Sequence, residues 1–413
     1  MIRIYPSKIS GKLKAPASKA HALRLLYMAS MPAFPTTIKN VPDCDDVDTA
    51  FECLKNLGCE ITPGRNAGDY VIKPFPKTTP LLEADFDFME SATTARLSIV
   101  LCSILAIKAD CKAHGTLPRR KLVQLTGKLA IRGVNFSSFS LPFSQSGRLA
   151  AGDFSMPGDE GSQSISALLM FLPCLMGDST ITLESPLLDK SFINITINSL
   201  EKFKIHVQET ETGFFIPGKQ FYQSPKNISA ENDWGLASMW ITAAAACGPN
   251  NNLTLEGLSA KSPQLYRDIA PMLSLISQDF TDINIDASNI PNLTPLLCAL
   301  AIVKGATIRI NGVPQLKYKE TNQFKTLAEI ARAFGQDAQI NEDGISIIGN
   351  GKADYPEDLK IDCQGDPWVF MAMVLASSML KKPIVLSDEH GADKIYRNFL
   401  NDFKSIGGKF DII

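Results

Sequence analysis

Along the chain, apolar positions recur at two spacings that alternate. Short stretches such as Ser179-Thr-Ile-Thr-Leu183 and Ala306-Thr-Ile-Arg-Ile310 put an apolar side chain on every second residue, the period of a half-buried strand. Ala/Leu/Met-rich stretches at 166–175 and 293–303 precede them and show little polar face, which predicts helices buried on most sides. A second pattern lies between: an amphipathic helix, a small or polar break, then two short strands about a turn. It occurs at Leu54-Lys-Asn-Leu-Gly58-Cys-Glu-Ile61, with Asn66-Ala-Gly68-Asp69 as the turn, and at Leu129-Ala-Ile-Arg-Gly133-Val-Asn-Phe136. It returns around Lys204, Gly335 and Gly407, and more weakly at Leu273-Ser-Leu-Ile-Ser277.

These anchors, at 58, 133, 204, 277, 335 and 407, are about 70 residues apart, so six units of the form βαβαββ account for the whole length. The nearly all-apolar helices belong inside and the alternating strands outside. A linear solenoid is a poorer description, because a mixed unit of this length matches no common stacked array.

Composition changes the picture only by exclusion. With 413 residues, 41 Lys+Arg against 43 Asp+Glu and 45% hydrophobic residues, the chain can bury large cores and is not disordered. A formal charge of −2 leaves no footprint for a nucleic acid or an anionic membrane. The apolar runs at 97–107 and 370–380 are short of the ~20 residues that cross a bilayer. Nine scattered cysteines without a CxxC pair suit reduced, mostly buried thiols in the cytosol. The four histidines are isolated, so no metal site is expected, and no phosphate-binding glycine loop occurs.

Five segments bring cations or polar donors to the start of a helix. Lys14-Ala-Pro-Ala-Ser-Lys19-Ala-His-Ala-Leu-Arg24 offers Ser18 as a cap, with Lys19 and Arg24 on the first turns. In Met89-Glu-Ser-Ala-Thr-Thr-Ala-Arg96, Arg96 opens an apolar run and is costly to bury without an anion. Leu117-Pro-Arg119-Arg120-Lys121 groups three cations, and Pro157-Gly-Asp-Glu-Gly-Ser162-Gln163 supplies hydroxyl and amide donors. Lys317-Tyr-Lys319-Glu320-Thr321-Asn322 places a lysine beside a carboxylate, as surface charge or as a proton-transfer pair. Helix ends and cations converging on one place would suit a small substrate with several negative groups. By themselves these residues name no reaction.

Together they resemble a known family. Pro16-Ala-Ser-Lys19-Ala-His-Ala-Leu-Arg24 is similar to the N-terminal "PGSKS-x-S-x-R" motif of the 5-enolpyruvylshikimate-3-phosphate synthases, and Cys44-Asp-Asp-Val47 to their "SDDV" segment. Glu90 to Arg96, Arg120, Gly161-Ser162-Gln163, Lys190-Ser-Phe-Ile-Asn-Ile-Thr196, Lys317-Tyr-Lys319-Glu320-Thr321 and Asp393-Lys394 follow in the family's order across nearly the whole chain. The resemblance implies a two-domain inverted α/β barrel, three repeats per domain, with the active site in the interdomain cleft. The first domain would span 15–229 and the second 1–14 and 230–413. It implies enolpyruvyl transfer from phosphoenolpyruvate to the 5-hydroxyl of shikimate 3-phosphate with release of phosphate. It also implies no cofactor, a monomer in the cytoplasm, and neither nucleic-acid nor membrane partners.

By the same resemblance, Lys19, Ala20, Arg24, Ser162, Gln163 and Lys319 would bind shikimate 3-phosphate. Lys19, Ala92, Arg96, Arg120, Gln163 and Lys394 would bind phosphoenolpyruvate. Lys19, Glu320 and Asn292 would be catalytic, Glu320 exchanging a proton at the enolpyruvyl methylene carbon. The chain departs from the pattern at Asn292, where the family has an aspartate, and at Gln323 and Trp368, where it has arginines. An amide cannot accept a proton as a carboxylate does. An impaired or repurposed paralogue that keeps anion binding is therefore the competing expectation. A cell-wall enolpyruvyl transferase fits less well, because Gly115 stands where that enzyme carries a reactive cysteine.

Overall fold

The computed structural model describes residues 1–76, 81–188, 190–248, 252–264, 269–277 and 280–413. The backbone forms two compact units, Ala17–Glu231 and Met1–Pro16 with Asn232–Ile413. The helices, in chain order, are α1 (Lys19–Ala29), α2 (Asp45–Asn56), α3 (Ala92–Leu105), α4 (Val123–Ile131), α5 (Ser162–Phe171), α6 (Lys190–Lys202), α7 (Trp234–Ala246), α8 (Ala270–Ile276), α9 (Thr294–Lys304), α10 (Gln323–Ala333), α11 (Pro367–Ala376), α12 (Asp393–Tyr396) and α13 (Phe399–Ser405).

Strand Glu83–Asp87 crosses over through α3 to the parallel strand Lys108–Lys112, and α4 then leads to the hairpin Val134–Phe136 and Phe143–Gly147. A parallel pair needs such a helical crossover, whereas an antiparallel pair needs only a turn, so the sequence order dictates one parallel and two antiparallel ladders per sheet. Among the described residues, five four-stranded sheets have one parallel and two antiparallel ladders. One of them closes with the N-terminal strand Ile2–Tyr5, which lies between Ile384–Leu386 and Lys409–Ile412.

The sixth repeat departs from the expected form. Among the described residues, its sheet consists of Gly11–Lys14 and Leu253–Glu256 alone, and no hairpin follows α8. The other anchors share one local feature. At 58, 133, 335 and 407, a glycine just past an amphipathic helix takes a φ between +72° and +103°, and Lys204 takes +63°. A left-handed residue there ends a helix and turns the chain into the hairpin, and glycine does so without a Cβ penalty. Ser277, the C-cap of α8, has φ −71°, negative like the C-caps Leu57, Arg132, Phe334 and Ile406 that precede the anchor glycines, and the position after it lies outside the described residues.

In each unit the crossover helices make the core. α3, α5, α9 and α11 are buried at nearly every position, the first turns of α3 and α5 carrying polar residues ahead of apolar runs. α2 and α10 bury one stripe and expose the other. Trp240 is buried, while Trp234 and Trp368 pack at the margin. None of the nine cysteines is in a disulfide, and seven are buried. No described helix is long and apolar enough to cross a membrane.

Candidate functional site

In the unit Ala17–Glu231, the N-terminal turns of three core helices meet. Gln163 of α5 donates from Nε2 to Oγ1 of Thr93 on α3 at 3.0 Å. Arg24 of α1 donates from a terminal nitrogen to Oγ of Ser166 on α5 at 2.9 Å and from Nε to Oγ1 of Thr196 on α6 at 2.6 Å. Ser18 occupies the cap position of α1, yet its side chain makes no capping bond there. The first residues of α1, α3 and α5 are Lys19, Ala92 and Ser162, so three positive helix ends share this side of the unit.

Two arginines are buried in this arrangement, Arg24 at 2% exposure and Arg96 at 8%. Arg24 bonds two hydroxyls and the Ala20 carbonyl, and lies over the Phe192 ring at 5.8 Å. Arg96 bonds the Ser164 hydroxyl and the carbonyls of Ala92 and Lys121. Every one of these acceptors is a neutral oxygen. Burial pushes both guanidinium groups down to about 10, and Arg120 lowers Arg96 further while Glu160 opposes it. A buried cation held by dipoles but by no contacting carboxylate is costly to fold and ready to take an anion.

Around them, Lys19 bonds Asp46 at 2.6 Å, and Lys121 pairs with Glu160 at 2.8 Å. Arg120 is half-buried and reaches the Thr116 hydroxyl, whereas Arg119 is exposed. His21 is buried and accepts the Glu231 backbone N–H at Nδ1; burial and nearby Arg24 hold it down to about 4, hence neutral. Gly161 precedes α5 with φ +100°, a backbone that glycine adopts without strain.

The other unit gathers different groups. Asp366 is wholly buried at the start of α11, where it accepts the backbone N–H groups of Trp368 and Val369. It also accepts from Nε2 of Gln323 at 2.9 Å and from the Thr321 hydroxyl at 3.2 Å. Burial, and next the nearby Glu320, raise its carboxyl to about 6. Lys319 and Glu320 follow the 3-10 turn Pro314–Tyr318 and are half-buried. Asn292 is buried in the turn Pro291–Leu293 that enters α9, and Lys394 stands half-buried on α12.

Four side chains here were given no role from the sequence: Ser166, Asp46 and Asp366, which lie within or beside its motifs, and Gln315. The first three are recognised by contacts 142, 27 and 43 residues distant in sequence. Gln315 is buried with neither amide atom hydrogen-bonded, and a buried amide is seldom left so. No group of His, Cys, Asp and Glu able to hold a metal occurs among the described residues.

Buried cations at gathered helix ends, as in the unit Ala17–Glu231, suit the class of proteins that take small anionic ligands. A family model for EPSP synthase (3-phosphoshikimate 1-carboxyvinyltransferase) matches residues 5–403. The chain belongs to this family of transferases, whose members move an enolpyruvyl group from phosphoenolpyruvate to shikimate 3-phosphate in the shikimate pathway. A 3-phosphoshikimate 1-carboxyvinyltransferase of Clostridium kluyveri is 30% identical, covering 99% of this chain and 98% of the relative. One from Saccharolobus solfataricus is 26% identical over the full length of both. Among solved structures, an EPSP synthase from Acinetobacter baumannii superposes with a TM-score of 0.79 at 17% identity, covering 100% of this chain and 99% of that one. The enolpyruvyl transferase NikO from Streptomyces tendae superposes with 0.72 at 13% identity, covering 99% and 98%. These two likenesses speak for the fold: the two-domain α/β arrangement of enolpyruvyl transferases.

Proposed function

We propose that this chain transfers the enolpyruvyl group of phosphoenolpyruvate to the 5-hydroxyl of shikimate 3-phosphate, releasing phosphate, and that the residues below do the work. The observation that carries the site is the pair of buried arginines, Arg24 and Arg96, whose bonds go to neutral oxygens. Both substrates bring a phosphate and a carboxylate, which supply the missing negative charge. Arg24, Lys19, Ser162, Gln163 and Lys319 take shikimate 3-phosphate, with Ala20 at the backbone of the first turn of α1. Arg96, Arg120, Lys19, Gln163 and Lys394 take phosphoenolpyruvate, with Ala92 opening α3 beside it.

Glu320 serves the methylene carbon, which must gain a proton when the 5-hydroxyl adds to the double bond and lose one when phosphate leaves. Lys19 supplies positive charge where phosphate departs. Asn292 holds the attacking hydroxyl by a hydrogen bond, and its amide cannot take the proton. The protein works as a monomer in the cytoplasm, without nucleic-acid or membrane partners.

A second reading rests on Asn292, Gln323 and Trp368: a paralogue that binds shikimate 3-phosphate and turns over slowly or not at all. Phosphate release from the two substrates, run with wild type and Asn292→Asp, separates the two. Turnover in wild type supports the synthase; turnover only in Asn292→Asp supports the impaired paralogue; none in either protein rejects the synthase reading.

A further inference from the structure

We infer that Asp46 is a positioning residue for Lys19: its carboxylate fixes where the ammonium stands, and turnover depends on that pairing. This rests on the enolpyruvyl-transfer reading given above. Lys19 is the first residue of α1, where the positive helix end repels a cation, and a flexible lysine there would turn to solvent. Instead its Nζ lies 2.6 Å from Oδ2 of Asp46. Asp46 stands in the first turn of α2 with Asp45 and Asp48, where a helix end favours negative charge. The α2 end therefore supports the anion, and the anion draws the ammonium against the preference of the α1 end.

Exposure shows that the pair is more than a surface contact. The side chain of Asp46 is 7% exposed and that of Lys19 is 21% exposed. A carboxylate so removed from water interacts more strongly than a solvated one, and its partner stays within reach of a ligand from one side. Arg24 lies on the same helix and bonds the Ala20 carbonyl, so the paired ammonium and the buried guanidinium rise from adjacent turns of α1. A positive charge placed in advance costs no reorganisation when phosphate departs, which is the condition for strong electrostatic catalysis.

Two assays on Asp46→Asn and Asp46→Glu of the full chain test this. The first is acetylation of Lys19 by acetic anhydride, read by peptide mass spectrometry. Loss of the carboxylate favours the neutral amine and frees the side chain, so labelling at pH 8 should accelerate at least ~5-fold in Asp46→Asn and fall back in Asp46→Glu. The second is steady-state phosphate release. We expect kcat in Asp46→Asn to drop at least ~30-fold with KM for shikimate 3-phosphate changed less than ~3-fold, and Asp46→Glu to recover part of kcat. Unchanged labelling in both variants overturns the proposal, as does an unchanged kcat in Asp46→Asn. A wild type that releases no phosphate overturns the reading of the reaction instead, and labelling alone then decides whether Asp46 holds Lys19.

Discussion

In the unit Ala17–Glu231, Arg24 and Arg96 are buried cations bonded to hydroxyl and carbonyl oxygens. In the other unit, Asp366 is a buried anion bonded by an amide, a hydroxyl and two backbone N–H groups. Each charge is held by dipoles, but the two differ in what relieves them. A guanidinium stays charged at any ordinary pH, so only an anion can compensate it. A carboxyl raised to about 6 can take a proton instead. In the proposed function the first unit binds the anions, while in the second Asp366, near Glu320, can take up a proton. The departures that change charge fall on the second side, at Asn292, Gln323 and Trp368, whereas Ala20, Ala92, Gly161 and Phe192 are neutral changes in the first. Gln323 is a neutral donor to Asp366 where the family's arginine would bring a charge.

The largest expected effect breaks the cationic side. Arg96→Met should raise KM for phosphoenolpyruvate about 100-fold, because charge-assisted bonds to the ligand are lost. Its thermal midpoint should not fall, since an apolar chain of similar length replaces a buried charge that no contacting carboxylate compensates. Steady-state kinetics beside a thermal melt check both halves; a large fall in the midpoint would mean that the arginine serves folding.

The contrast in pH dependence comes next, and the two units should respond with opposite sign. Asp366 has a folded value above its ordinary 3.8, so its contribution to stability is full below about pH 4 and is lost as pH rises through about 6. Asp366→Asn removes this dependence, and wild type and variant should diverge by on the order of 3 kcal/mol across that window. His21 has a folded value of about 4, below its ordinary 6.5, so the native state loses stability as pH falls from about 6.5 toward 4. His21→Gln should flatten that loss, of a similar order, while keeping a side-chain acceptor for the Glu231 N–H. Urea unfolding between pH 4 and pH 7 measures all three proteins.

The smallest effect is a control away from both charged sets. Lys204 holds φ +63° at an anchor where four of the other five are glycine. Lys204→Gly should stabilise by about 0.5–1 kcal/mol, by removing a left-handed strain, with kcat and KM unchanged. A loss of stability there would show that the lysine side chain packs in a way the backbone does not require.

Much of the fold was legible because local patterns carry it. Gly58, Gly133, Gly335 and Gly407 mark helix ends by a property of glycine itself, and the polar entrances at Lys19, Ala92 and Ser162 stand at true helix starts. Five of the six repeats could be read in this way. The copy at Ser277, the one that reads more weakly, differs in its sheet, which has two strands among the described residues. Within the candidate site, a motif shows that Arg24 and Arg96 lie near the starts of helices but not what they touch. Thr196 and Ser166 meet Arg24 across 172 and 142 residues, and Asp366 meets Gln323 across 43, through packing that no local pattern encodes.

The most direct test is calorimetric titration of shikimate 3-phosphate into wild type and Arg24→Met at low and high salt. If the buried guanidinium is the seat of the phosphate, wild type binds and the variant loses at least ~100-fold in affinity, with the loss retained at high salt because a buried pair is little screened. Equal affinity in the two proteins would contradict anion binding by Arg24.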